Sequence, residues 1–119
     1  MSVRFSVNGA SVWWPASAVA RLFKAQAEAA AMALDIPSGL GELFADEVVI
    51  DLPVFEEFVK KLVQQYNTPY YVVHSLTAGV FGTSYVMVER AGGRLPEIDP
   101  HRAPAWEAQH MQFSRSMPQ

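Results

Sequence analysis

The sequence contains no cysteine. Disulfides, thiolate zinc sites and cysteine nucleophiles are therefore excluded, and any metal would have to be held by His, Asp and Glu. Charge is scarce as well. Only 18% of residues are charged, and nine Lys plus Arg face twelve Asp plus Glu, a net charge of −3. The one adjacent basic pair, Lys60-Lys61, follows Glu56-Glu57 closely. Nucleic-acid binding rests on a basic patch that displaces counterions from phosphates, so DNA and RNA are not expected partners. The N-terminus MSVRFSVNGA lacks a long apolar run and reads as mature protein, not as a signal peptide. No phosphate loop, metal-ligand spacing or catalytic signature stands out, so no cofactor and no metal are expected. There are no internal repeats and no low-complexity tracts.

Charge is missing altogether from Pro69–Val88, a stretch of 20 residues, which is membrane-spanning length. His74, the hydroxyls of Ser75, Thr77 and Thr83, and two glycines interrupt it, and no basic cluster flanks it. The reading is a central helix covered by protein, with no membrane as partner.

What is present is apolar material: half the residues are hydrophobic, with seven Phe, three Trp and four Tyr in 119 residues. That suffices for the core of one domain. Asn8-Gly9 between two short alternating runs signals a β-hairpin over residues 3–14, because a type I′ turn needs positive φ at both positions. Pairing Val7 with Ala10, Phe5 with Val12 and Val3 with Trp14 makes one face apolar. It leaves Arg4, Ser6, Ser11 and Trp13 on the other, with the Arg4 guanidinium over the Trp13 indole. After Pro15 a helix is expected from about 16 to 34. Val19, Leu22, Phe23, Ala30, Ala33 and Leu34 form its apolar side, Arg21, Lys24 and Glu28 its charged side, and Gln26 is a polar misfit within the apolar stripe. Residues 35–50 form a connector broken by Pro37 and Gly39, in which Glu47-Val48-Val49-Ile50 reads as a short strand able to join the hairpin as a third.

Asp51 reads as the N-cap of a helix over 52–66, whose stripe Phe55, Phe58, Val59, Leu62, Val63, Tyr66 is the cleanest in the chain. Thr68 as cap and Pro69 at the first helical position start a third helix, 69–90, ended by Gly92-Gly93. It is apolar nearly all round and so is expected to be central. Its β-branched content leaves strand open for Ser84–Val88. Residues 94–119 carry four prolines and read as an extended tail, with at most a short helical stretch at 104–113. The fold class is α+β, with a single domain over 3–93.

Two stretches, VWWPASAVARLFKAQ at 12–26 and PSGLGELFADEVVIDLPVFEEFV at 37–59, resemble an uncharacterised family of small actinobacterial proteins, a domain of unknown function. The resemblance covers about residues 3–92. It implies a free-standing bacterial cytoplasmic protein and assigns no activity and no catalytic residue.

Candidate sites follow from residue chemistry. Glu42, Asp46, Glu47 and Asp51 form an acidic cluster that reads first as a solvated connector. His74 shares a helix face with Tyr70, Tyr71, Thr77, Phe81 and Tyr85. An imidazole among phenols could serve acid–base chemistry, with Asp46 as a further candidate, or could be a satisfied core histidine. Gln26 must find a partner if buried. Gln26, His74, Phe81 and Tyr85 are the candidates to line an apolar ligand pocket. His101 and His110 read as surface residues. Interface candidates are Trp13, the small-residue strip Ser75, Gly79 and Gly82, and the tail residues Trp106 and Phe113. Two functional classes follow. The first is a non-enzymatic interaction or accessory protein, self-associating as a homodimer. The second is a small enzyme or ligand-binding protein acting on a hydrophobic metabolite around His74.

Overall fold

Two short strands and a reversal open the chain of the computed structural model, which describes residues 1–119. β1 (Arg4–Val7) and β2 (Ala10–Trp13) pair antiparallel through a turn in which Asn8 and Gly9 have φ of 51° and 84°, the geometry that Asn-Gly favours. The helix α1 (Ser17–Ala33) leads to β3 (Glu47–Val49), which pairs parallel with β1 to give the strand order β2-β1-β3. Then come α2 (Leu52–Tyr66), α3 (Tyr71–Arg90) and α4 (Ala103–Ser116). The class is α+β, and the third strand forms as its residues suggest.

The hairpin register differs from the simple one. Phe5 pairs with Trp13 and Ser6 with Ser11, and Val12 is an extra residue in a bulge. A bulge shifts every later side chain by one position. Trp13 therefore turns inward, stacks on Phe5 at 5.2 Å and meets the edge of Phe23 from α1. Trp14 takes the outer position, 47% exposed, with the Arg4 guanidinium 6.0 Å above its ring. Trp13 is thus a core residue and not an interface candidate.

α1 is rotated from its expected orientation. Ala20, Phe23, Ala27 and Ala31 are buried, whereas Val19 and Leu22 are exposed. Gln26 also faces water and so needs no buried partner. Alanine occupies nearly every side of this helix, so the apolar pattern defines its orientation poorly. The alanine face wins inside because small side chains let α1 approach closely.

α2 follows its pattern, with Phe55, Phe58, Val59, Leu62 and Val63 buried. Asp51 caps it through the Val54 N–H at 3.5 Å. At its far end the Thr68 hydroxyl donates to the Gln65 carbonyl, so Thr68 closes α2 and does not cap α3. Helix α3 starts two residues later than expected, and Ser84–Val88 is helical. Its second half, Val80–Val88, is enclosed save for half-buried Tyr85, but its first half stands largely in water. α3 has the length and composition of a membrane-crossing helix; the buried half is covered by protein.

The stretch after Gly93 is not an extended tail. Asn67 holds the incoming segment by donating to the Glu97 carbonyl and accepting from the Asp99 N–H. Arg102 donates to the Thr68 carbonyl, and α4 then lies along α3. Trp106, His110, Phe113 and Met117 are spaced four, three and four apart and turn inward to differing degrees. Pro104 sits in the first turn of α4, where a missing N–H costs nothing. The radius of gyration is 13.4 Å, against about 13.5 Å expected for one compact domain of this length. The last residues are therefore part of the body.

Candidate functional site

Three places on the molecule bring chemistry-bearing side chains together. The first surrounds His74. α2, α3 and α4 enclose an aromatic cluster in which Tyr66 lies 5.4 Å from the His74 ring and 4.8 Å from Phe81. Trp106 sits 4.5 Å from Phe81 and 4.8 Å from Tyr85, and His110 stacks on Trp106 at 5.5 Å. The space beside Phe81 and Tyr85 is thus filled by the protein's own tryptophan. His74 Nε2 is buried with no hydrogen-bond partner. Burial pushes the Tyr66 phenol above its ordinary value, against the opposing pull of the Arg102 charge. Burial and then the Glu89 charge push Tyr85 up, against a hydrogen bond from Trp106. Both phenols stay protonated at neutral pH and cannot act as resting-state bases. Tyr70 and Tyr71 are exposed, Gln26 faces water, and Asp46 lies on the turn before β3. The structure keeps His74, Phe81 and Tyr85 in one region and does not bring Gln26, Tyr70, Tyr71 or Asp46 to a shared cavity with them.

The second place is the outer face of the sheet. Parallel pairing sets Arg4 beside Glu47, and the guanidinium donates twice to one carboxylate oxygen, at 2.6 and 3.1 Å. The Ser6 hydroxyl donates to the same oxygen at 2.8 Å. The Arg4 hydrogen bond, then that of Ser6, holds the Glu47 carboxyl below its usual range. With Glu47 engaged here and Asp51 capping α2, the acidic cluster is dispersed. No group of three or more His, Asp or Glu side chains is placed to hold a metal ion. Before β3 the chain makes a tight turn whose central residues, Ala45 and Asp46, both have positive φ, 51° and 61°. Asp tolerates such a conformation but Ala does not advertise it, and the turn leaves Phe44 82% exposed. No turn signature in the sequence points to Phe44.

The third place is a pair of clefts flanking the charged edge of α1. One, about 840 Å³, runs from Asn8 past Ser38 and Gly41 to Asp51 at the start of α2. Ser38 is buried; its hydroxyl donates to Glu28 and accepts from the Leu40 N–H. The other, about 310 Å³, lies between α1 and the sheet, lined by Val3, Ala20, Leu43 and Val48 beneath Arg21, Lys24 and Glu28. Neither cleft is lined by His74.

The interface candidates divide. Trp106 is buried against α3 of its own chain. Gly82 lies under the Phe113 ring, which occupies the space a side chain there would need. Close approach at the small-residue strip is therefore made by α4 at this position. Ser75 and Gly79 remain uncovered. His101 is exposed, and His110 is partly covered and pairs with Glu89 at 2.8 Å.

Comparison with protein families matches residues 1–119 to one described as Family of unknown function (DUF6086). The chain belongs to that family. The match runs the whole length and does not stop near residue 92, in keeping with α4 being part of the body. No curated protein and no solved structure matches the chain.

Proposed function

We propose that this DUF6086 member is a non-enzymatic interaction or accessory protein of the cytoplasm that self-associates as a homodimer through the first half of α3. The supporting observation is the exposure of Tyr70, Tyr71, Val72 and Leu76, at 65, 79, 67 and 80%. Apolar surface left in water costs roughly 25 cal/mol per Å², and clustered exposed side chains of this size mark association surfaces. Val72, Ser75, Leu76 and Gly79 follow i, i+3, i+4, i+7 spacing and share one face. That face carries no charge that would select a different partner. Ser75 and Gly79 let a like helix come close, and nothing lies within 4 Å of where a Gly79 side chain would start. Val19, Leu22 and Met32 on α1, also exposed, add to the apolar surface in water.

Acid–base chemistry at His74 has less support. Its ring packs at a tilt against Tyr66, the neighbouring phenols are held protonated, and Trp106 fills the space beside Phe81.

Size-exclusion chromatography with light scattering tests the reading. The expected result is a dimer at micromolar concentration that dissociates on dilution. Val72→Glu with Leu76→Glu should give a monomer with an unchanged circular-dichroism spectrum. A monodisperse monomer of the unaltered chain across the micromolar range overturns it.

A further inference from the structure

The smaller cleft beside α1 combines an apolar floor with two unneutralised cations. Val3, Ala20 and Val48 form the floor, Leu43 forms the lip, and Arg21 and Lys24 stand on the helix edge above. Its volume, about 310 Å³, is at the lower end of the roughly 300–1,000 Å³ of small-molecule sites. Arg21 and Lys24 are three residues apart, about one turn of helix, so they are neighbours on the side of α1 that borders the cleft. The ion pairs of the molecule are Arg4–Glu47, Arg94–Glu56 and His110–Glu89, and neither Arg21 nor Lys24 takes part. The one carboxylate on the rim, Glu28, lies four residues from Lys24, about 6 Å along the axis, and seven from Arg21, about 10 Å; it forms no ion pair with either and accepts the Ser38 hydroxyl.

We propose that this cleft binds a small amphipathic carboxylate of medium aliphatic length. Its hydrocarbon lies on Val3, Ala20 and Val48, and its carboxylate pairs with Arg21 and Lys24. Charge complementarity selects the class. An apolar slot lined by aliphatic side chains holds hydrocarbon, while a guanidinium and an ammonium above it pair with an anionic head group through charge-assisted hydrogen bonds. A cleft of this size covers only a medium chain and would leave the rest of a longer one in water. The assignment is independent of the homodimer reading, since none of these residues belongs to α3.

Octanoate titrated into isotope-labelled protein, followed by backbone amide shifts, tests it. Saturable shifts centred on Val3, Ala20 and Val48 are expected. Octanol, with the same chain and no charge, should bind at least about tenfold more weakly, as the loss of the charge-assisted contacts to Arg21 and Lys24 implies. Arg21→Gln with Lys24→Gln should bring octanoate down to the octanol level and leave octanol unchanged. Ala25→Trp, at an exposed position lining the cleft, should abolish both, with an unchanged circular-dichroism spectrum showing that the fold is kept. Non-saturating shifts, shifts elsewhere on the molecule, or octanoate binding indifferent to the double substitution overturn the proposal. Octyl phosphate binding more tightly than octanoate overturns the carboxylate assignment.

Discussion

A methyl group added at Gly39 would lie 2.5 Å from the Phe55 backbone nitrogen, at a residue whose φ is +83°. The left-handed conformation costs an L-residue about 1–2 kcal/mol, and overpacking adds about 1–3 kcal/mol. Gly39→Ala should therefore lower the unfolding free energy by about 2–5 kcal/mol. Gly79 sits in an exposed helical turn with nothing within 4 Å of the added carbon, and Gly79→Ala should raise stability by about 0.5–1 kcal/mol in dilute protein. Urea unfolding of the two variants checks the opposite signs; a loss at position 79 in dilute protein would contradict the open surface seen there. Residue-scale readings succeeded where local chemistry decides. Asn8-Gly9 makes its turn, and Asp51 caps α2. They failed at Trp13 and Trp14, because a bulge is set by how the strands dock and not by the dipeptide itself. Glu47 was legible as a carboxylate, but its neighbours Arg4 and Ser6 became visible only through the parallel register of β1 and β3.

At the scale of elements, α4 is held by what it inserts between α2 and α3. Trp106 is 4% exposed and touches Tyr66, Phe81, Tyr85 and His110. Trp106→Ala should cost about 3–5 kcal/mol and raise amide exchange across Ala103–Ser116 more than in α2. Chemical denaturation and hydrogen exchange measure both effects, and a cost under about 1 kcal/mol, typical of a surface change, would rule out α4 as part of the core. The inward spacing of Trp106, His110, Phe113 and Met117 was present in the sequence, masked by prolines that lie at the ends of the segment and in its first turn. α2 was readable because its polar and apolar faces are both well populated. α1 was not, since alanine on most sides leaves its rotation to be chosen by packing. The cleft beneath Arg21 and Lys24 was hidden for the same reason: the partner face of α1 is a property of its rotation.

At the scale of the whole molecule the chain ends where it began. Trp14 N–H donates to the Pro118 carbonyl, the Ser11 hydroxyl donates to Gln119, and Arg90 donates to the carbonyls of Val12, Ser114 and Met117. Burial holds the Arg90 guanidinium below its ordinary value, with Glu89 opposing, yet it stays charged at neutral pH and ties α3, β2 and the end of α4 together. Met117 is itself buried. Removing Met117–Gln119 should therefore cost about 2–4 kcal/mol, from one buried side chain and several hydrogen bonds, although terminal residues are usually dispensable. Thermal unfolding of the truncated chain measures it, and an unchanged midpoint would deny the clamp. By itself the sequence determined the α+β class, the hairpin, the third strand and the helical segments up to Arg90, because turn chemistry, capping and hydrophobic period are local and each acts within a few residues. Only the tertiary structure decided which face of α1 is buried, which tryptophan is inside, that half of α3 stays in water, and that the proline-bearing end folds back along α3, with its last residues reaching β2. Those outcomes depend on competition among surfaces distant in sequence, settled by how closely small side chains pack and by where a bulge shifts a strand.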